Sequence, residues 1–330
     1  MIDPRARARA TAIAAAVIGL FVATAVIGYF NAGNVLAAMR PIGVLGFLAV
    51  IAAQLALFIP LGLAWWLVAP GEPLRRAPAF AWSRLVREAA SDVLPFSQLG
   101  GLVIAARAAV LGGTPTATAF GSSLVDVTVE IVAQLIYTLV GVALLAHRLG
   151  FAAAKGDKLL FSLVVGLVIA AVLVGVMVAT QRRGLNLIEH LFHRLAPGAG
   201  HHATAVNTVV ETAYGRRLQL WEGLALHVFA WFGAAGGTWL ILVLIGHRLP
   251  FLSVAAIESL LFAIRNAAFV VPSGLGVQEG AYALLGPLFG LPVEAALALS
   301  LLKRARDIAV GIPMLLSWQL LESRRRLRDS

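Results

Sequence analysis

V-L-G-F-L-A-V-I-A-A-Q-L-A-L-F-I-P-L-G-L-A-W-W-L-V, residues 44–68, runs for 25 residues without a charge. At about 1.5 Å per residue a helix of that length reaches about 37 Å, enough to cross a hydrocarbon core about 30 Å thick. It has no polar face to turn towards water, so it reads as a helix surrounded by lipid and other helices. The rest of the chain has the same character. Of its 330 residues, 60% are hydrophobic and 13% charged, and the mean hydropathy is +0.89. That composition excludes a water-exposed globule and predicts an all-α, polytopic integral membrane protein.

Moving outward from 44–68, further long apolar runs cover 10–30, 116–146, 159–180, 220–245 and 293–321, giving about six transmembrane helices. The basic start before residue 10 resembles a signal peptide, but the apolar run behind it has the length of a full span, so it is read as the first helix. Two other apolar stretches are interrupted near their middles. One, 89–113, breaks at L-P-F-S-Q-L-G-G (94–101); the other, 253–290, breaks at P-S-G-L-G-V-Q-E-G (272–280). Lipid cannot satisfy the backbone groups such breaks free, so both are expected to be re-entrant hairpins buried in protein or lining a cavity.

The net charge of +10 raises the question of nucleic acid, but the arginines lie at the ends of apolar runs, where they meet anionic lipid headgroups. With the N-terminus cytoplasmic and both hairpins re-entrant, 16 of the 26 Lys and Arg fall inside, 5 outside and 5 within apolar stretches. This asymmetry predicts cytoplasmic location for both termini. There is no cysteine, which excludes disulfides, thiolate chemistry, Fe–S clusters and Cys-ligated zinc.

Laying the chain over itself so that Pro95 falls on Pro272 also superposes Gly113 on Gly290, Pro115 on Pro292 and Ser123 on Ser300, without a gap. Eight of 36 positions between 95–130 and 272–307 are identical, against about three expected from squared residue frequencies. The same shift carries 44–68 onto 221–245. The single membrane domain, 1–330, therefore reads as two copies, 1–146 and 159–323, the second lengthened by a polar cytoplasmic loop at 181–219. Three spans and a hairpin separate their starts, so the copies are expected to be inverted. Inverted repeats with broken helices at matching places are characteristic of alternating-access carriers. A non-transport protein with an old duplication would look the same in sequence.

Charges at membrane depth mark the candidate site. Lys303, Arg304, Arg306 and Asp307 lie 11 to 15 residues beyond Pro292, about 16–22 Å along the last helix. In the other copy Asp126 and Glu130 share one helix face. Each such charge costs about 2.5–3.5 kcal/mol at the bilayer centre even on lenient scales, so all of them need partners or water. Two readings stand: an ion-pair cluster in which Asp126 and Glu130 face Lys303, Arg304 or Arg306, or a polar cavity whose surplus positive charge receives an anionic headgroup. Arg265 and Asn266 precede the second break and Gln278 and Glu279 follow it; Gln98 and Arg107 play the corresponding part in the first hairpin. Gly274, Gly276 and Gly280 permit close backbone approach, and the helix beginning after Gly276 offers free N–H groups to an anion. Glu279 equally suits an N-terminal cap.

His190, His193, His201 and His202 lie in a polar loop without clustered Asp, Glu or Cys and are expected to be solvated, so no metal is expected. Residues 204–217 are amphipathic enough to lie on the inner leaflet. Glu222 and His227 are assigned to interfacial packing. No Walker motif, H-E-x-x-H, G-x-S-x-G or Asp-rich diphosphate motif occurs, which leaves ATP-driven transport and common hydrolase or prenyltransferase chemistry without support and implies no cofactor.

F-V-V-P-S-G-L-G-V-Q-E-G-A (269–281) and L-P-V-E-A-A-L-A-L-S-L-L-K-R-A-R-D (291–307) resemble the lysylphosphatidylglycerol-synthase transmembrane-region (flippase-like) family. L-P-F-S-Q-L-G-G (94–101) is similar to its hopanoid-biosynthesis-associated branch. The resemblance extends from about 45 to 320 and points to Pro272, Gly274, Gly276, Glu279, Gly280, Lys303, Arg304, Arg306 and Asp307. It implies a bacterial inner-membrane protein that moves a lipid between leaflets or assists envelope-lipid synthesis. No soluble aminoacyl-transferase domain is expected on this chain, so lysyl transfer is not implied.

The resulting expectation is a lipid translocase without ATP, carrying an amphipathic envelope lipid, anionic or hopanoid-related, with membrane lipids and envelope-lipid biosynthesis proteins as partners. The alternative is a membrane enzyme or assembly factor of envelope-lipid (hopanoid) biosynthesis.

Overall fold

Uncharged runs of this length fold as helices because only an internally hydrogen-bonded backbone can sit in lipid. The computed structural model describes residues 32–93, 97–149, 200–268, 271 and 274–329, and among these every regular element is helical. In chain order the helices are α1 (Ala32–Met39), α2 (Gly43–Leu67), α3 (Ala77–Val93), α4 (Ser97–Leu111), α5 (Thr116–Leu149), α6 (Gly200–Gly215), α7 (Arg217–Leu244), α8 (Phe251–Ala267), α9 (Val277–Leu288) and α10 (Val293–Asp329). The spans expected at 44–68, 116–146, 220–245 and 293–321 coincide with α2, α5, α7 and α10. Those at 10–30 and 159–180 lie outside the described residues. The expected loop at 181–219 is helical where it is described, through α6 and the first turn of α7.

Three stretches are long and apolar enough to cross a membrane: Gly33–Leu67, Thr116–Arg148 and Arg217–Leu244. At 37 residues α10 is longer than any of them, about 55 Å, but charges interrupt its first half and its end. Each broken stretch resolves into a helix pair, α3 with α4 and α8 with α9, with the break at the proline- and glycine-containing segment.

Four consecutive helices recur in order, α2 to α5 and then α7 to α10, and their ends fall close to the offset that superposes Pro95 on Pro272. Leu67 answers to Leu244, Val93 to Ala267, Leu111 to Leu288 and Leu149 to Asp329. The turns before α5 and α10 share two backbone bonds. Gly113 N–H donates to Val110 O at 3.0 Å and Thr114 N–H to Ala109 O at 3.0 Å; before α10 Gly290 N–H donates to Pro287 O at 3.1 Å and Leu291 N–H to Gly286 O at 2.9 Å. This is the helix-ending motif that places its glycine in the left-handed region, and φ is +93° at Gly113 and +87° at Gly290.

The chain divides into two compact units. The first comprises Met1–Ala56, Val86–Gly101 and Phe232–Leu320, the second Leu57–Leu85, Leu102–Trp231 and Leu321–Ser330. In the second, Trp65, Val68, Phe80, Ala105, Ala109, Val125 and Val210 form a buried core. Trp65 meets Phe80 edge-on at 5.2 Å and donates its indole N–H to Ser122 Oγ at 3.0 Å, so the ring is buried without stranding its polar atom. Small residues set the closest approaches: a Cβ on Gly62 would lie 2.4 Å from Ala81 Cα, and one on Gly121 would lie 2.8 Å from Val209. In the first unit, α8 packs on α9, and Val35 packs with Leu297 and Ala298.

Candidate functional site

The second break brings α8, α9 and the middle of α10 together in the first unit. The turn into α9 needs left-handed backbone at Gly274 (φ +58°) and Gly276 (φ +75°). At Gly274 a side chain would also meet Arg265, whose Nε would be 3.1 Å from the new Cβ. Glu279, on the first turn of α9, folds back to accept the Gly276 N–H at 2.9 Å, the capping geometry suited to an acidic residue at the positive end of a helix.

The other Glu279 contacts come from α10. Arg304 donates through Nε to Oε1 at 2.5 Å and through Nη2 to Oε2 at 3.0 Å, with Nη2 also reaching Gly274 O at 3.2 Å. Ser300 Oγ–H donates to Oε1 at 3.1 Å, Gln278 Nε2 to Ser300 Oγ at 2.9 Å, and Arg265 Nη1 to Gln278 Oε1 at 3.3 Å. The Glu279 side chain is 1% exposed and that of Arg304 20%. A carboxylate therefore sits in a cradle made of a helix N-terminus, a hydroxyl and a two-bond guanidinium, the donor set that binds anions in general.

One turn away Lys303 lies against Glu258 of α8 at 2.6 Å and donates to Tyr282 Oη at 2.8 Å, while Tyr282 donates to the other oxygen of Glu258. Arg306 bonds to its neighbour Asp307 at 2.7 and 2.9 Å.

In the second unit Arg84 of α3 binds both carboxylates of α5, Asp126 at 3.2 Å and Glu130 through two bonds. His227 of α7 places Nε2 2.9 Å from Asp126 Oδ1. Arg107 of α4 holds Glu322, near the end of α10, at 3.0 and 3.1 Å.

The counter-ions thus differ from those expected by sequence. The ion-pair reading of the sequence sets Asp126 and Glu130 against the cations of α10; among the described residues they pair with Arg84 and His227, and the cations of α10 pair with Glu258, Glu279 and Asp307. Arg265, Gly274, Gly276, Gln278, Glu279, Lys303 and Arg304 come together in one network or directly beside it. Gly280 follows on α9, Asn266 is exposed, and Arg107 belongs to the second unit. Gln98 lies on α4, with its side chain outside the described residues, as are Pro272, His190 and His193 and the side chains of His201 and His202.

Ser300 and Glu322 join these networks without having been singled out as site residues by sequence, and so do Arg84, His227, Glu258 and Tyr282. Arg84 groups with the cytoplasmic cations because Arg75, Arg76 and Arg87 surround it, yet it is 2% exposed. His227, assigned to interfacial packing, is 1% exposed. Glu258 and Tyr282 carry no motif, although an isolated acid in the apolar run from 251 to 264 has the same insertion cost that flags Lys303.

An all-helical membrane protein with paired charges inside its helix packing is the class these features define. Residues 12–313 match the family described as lysylphosphatidylglycerol synthase TM region, and the chain belongs to that family. The match supports a membrane protein with a lipid-related function. No curated protein matches the chain, and no solved structure matches it.

Proposed function

We propose that the protein is a flippase-type carrier of the bacterial inner membrane, with both termini cytoplasmic, that moves an amphipathic envelope lipid with an anionic headgroup between leaflets. The observation that carries this reading is the Arg304–Glu279 pair at the start of α9. Glu279 is a carboxylate bonded by a guanidinium, a hydroxyl and a helix-terminal N–H, and a lipid phosphate asks for the same donors. Arg304 retains exposure that Glu279 lacks. An incoming headgroup competes with Glu279 for Arg304, and on release the carboxylate returns to the guanidinium so that no buried charge is left alone. Energy comes from a gradient or from downstream consumption of the lipid.

The four helices that recur near a common offset support reading 1–146 and 159–323 as inverted copies, the arrangement through which carriers alternate their access. Resemblance of 94–101 to the hopanoid-associated branch makes a polar-headed hopanoid the second cargo to try.

The test is leaflet transfer in reconstituted vesicles. A fluorescent phosphatidylglycerol is expected to cross with the wild-type protein and to stop crossing with Glu279→Gln or Arg304→Ala. Conversion of the lipid to a new product in detergent, where there are no leaflets, would replace the carrier with the enzyme reading.

A further inference from the structure

Two arginines from different helices converge on Gly274. Arg304 of α10 donates through Nη2 to the Gly274 carbonyl at 3.2 Å. Arg265 of α8 crosses the same glycine where a side chain would begin, its Nε 3.1 Å from the position of a Cβ. Its guanidinium carbon stands 5.9 Å from the centre of the Phe262 ring, within the range at which a ring face attracts a cation. Both arginines are partly exposed, whereas Gln278 and Glu279, to which they bond, are 2% and 1% exposed.

Between them the two guanidinium groups bind three oxygens on the first turn of α9: Oε1 of Gln278 on Arg265, and Oε1 and Oε2 of Glu279 on Arg304. Ser300 tethers both of these residues. Its Oγ accepts from Gln278 Nε2 at 2.9 Å and donates to Glu279 Oε1 at 3.1 Å, and Glu279 also keeps the Gly276 N–H. Either side chain can therefore give up its arginine and stay hydrogen-bonded, which removes much of the cost of the exchange. Three oxygens set against two planar forks match a terminal phosphate, which has three unsubstituted acceptor oxygens. A phosphodiester has two, and a single arginine fork satisfies both. The second arginine finds its oxygen only on a phosphate monoester or at the end of a diphosphate.

We propose that Arg265 and Arg304 form a clamp for a terminal phosphate group, so that the preferred lipid is a phosphate monoester or diphosphate rather than a phosphodiester. As a statement about transport this rests on the carrier reading; as a binding site the clamp stands without it. The phosphate replaces Glu279 on Arg304 and Gln278 on Arg265, and no covalent bond changes.

Binding of short-chain lipids to the whole protein in micelles tests the clamp without leaflets, at about pH 8, where a phosphate monoester is doubly charged. Dihexanoyl phosphatidic acid is expected to bind the wild type about tenfold or more tighter than dihexanoyl phosphatidylglycerol. Arg265→Gln and Arg265→Lys are each expected to abolish that preference by weakening phosphatidic acid while leaving phosphatidylglycerol nearly unchanged. Equal affinities in the wild type, a comparison that needs no variant, overturn the clamp, and so does a loss shared alike by both lipids in the variants. Inorganic phosphate is expected to displace phosphatidic acid only weakly; binding as tight as that of phosphatidic acid would make the ligand a soluble phosphate and overturn the lipid assignment. In vesicles, fluorescent phosphatidic acid is expected to cross several-fold faster than fluorescent phosphatidylglycerol with the wild type, and at a similar rate with Arg265→Gln. If phosphatidylglycerol crosses and phosphatidic acid crosses no faster, the lipid assignment falls while the carrier reading stands. If neither crosses, the carrier reading falls, and the affinities in micelles alone judge the clamp.

Discussion

Lys303 Nζ lies 2.6 Å from Oε2 of Glu258, with 6% of one side chain and 1% of the other exposed. The pair joins α10 to α8 beside the Arg304–Glu279 cradle. Removing one partner leaves the other charge buried and alone, which costs about 3–5 kcal/mol, whereas removing both is much cheaper. Lys303→Met is therefore expected to lose several kcal/mol in equilibrium unfolding in micelles, and the double variant with Glu258→Gln to recover most of it. Additive losses would show that the two do not act as a pair.

The matched turns before α5 and α10 predict matched sensitivities. With φ at +93° and +87°, Gly113→Ala and Gly290→Ala should each cost about 1–2 kcal/mol from backbone strain. Steric clash contributes nothing, because a Cβ at 290 meets nothing within 4 Å and one at 113 only Arg76 at 3.9 Å. Asparagine should cost less at both. Gly236→Ala, inside α7 with open space around it, should be neutral or stabilising by up to about 1 kcal/mol. Thermal unfolding of these variants checks the pattern.

Gly62 makes a different prediction. The nearest atom to a Cβ there is backbone, Ala81 Cα at 2.4 Å, which cannot rotate aside. Gly62→Ala is expected to push α2 from α3 and cost about 1–3 kcal/mol, lowering the melting temperature while the Arg304 site keeps its lipid transfer below that temperature.

Arg304→Lys keeps the charge and loses the planar fork that meets both oxygens of Glu279. A point charge cannot reproduce that bidentate contact, so transfer of an anionic lipid is expected to fall about tenfold or more with little change in unfolding. Wild-type transfer rates in Arg304→Lys would mean that the headgroup is not recognised through two bonds.

The absence of cysteine makes topology directly measurable. Pro115 and Pro292, matched in the repeat, are both exposed. A single Pro115→Cys should label with an impermeant reagent from the cytoplasmic face and Pro292→Cys from the opposite face. Labelling of both from one face would contradict inversion.

By itself the sequence determined the helical membrane character, the bounds of α2, α5 and α7 to within three residues and the start of α10, the positions of both breaks, and Glu279 and Arg304 as polar residues at membrane depth. These are local properties: an uncharged run of sufficient length has no other stable form in lipid, and both breaks fall at proline-containing segments, although Pro60, Pro287 and Pro313 lie inside continuous helices. The choice of partner was decided only by the tertiary structure. Insertion cost says that Lys303 and Asp126 need counter-ions but not which ones, because side chains distant in sequence meet through the rotation and offset of packed helices. So Glu258 answers Lys303, Arg84 answers Asp126 and Glu130, and His227, a boundary residue by sequence, comes to rest buried against a carboxylate.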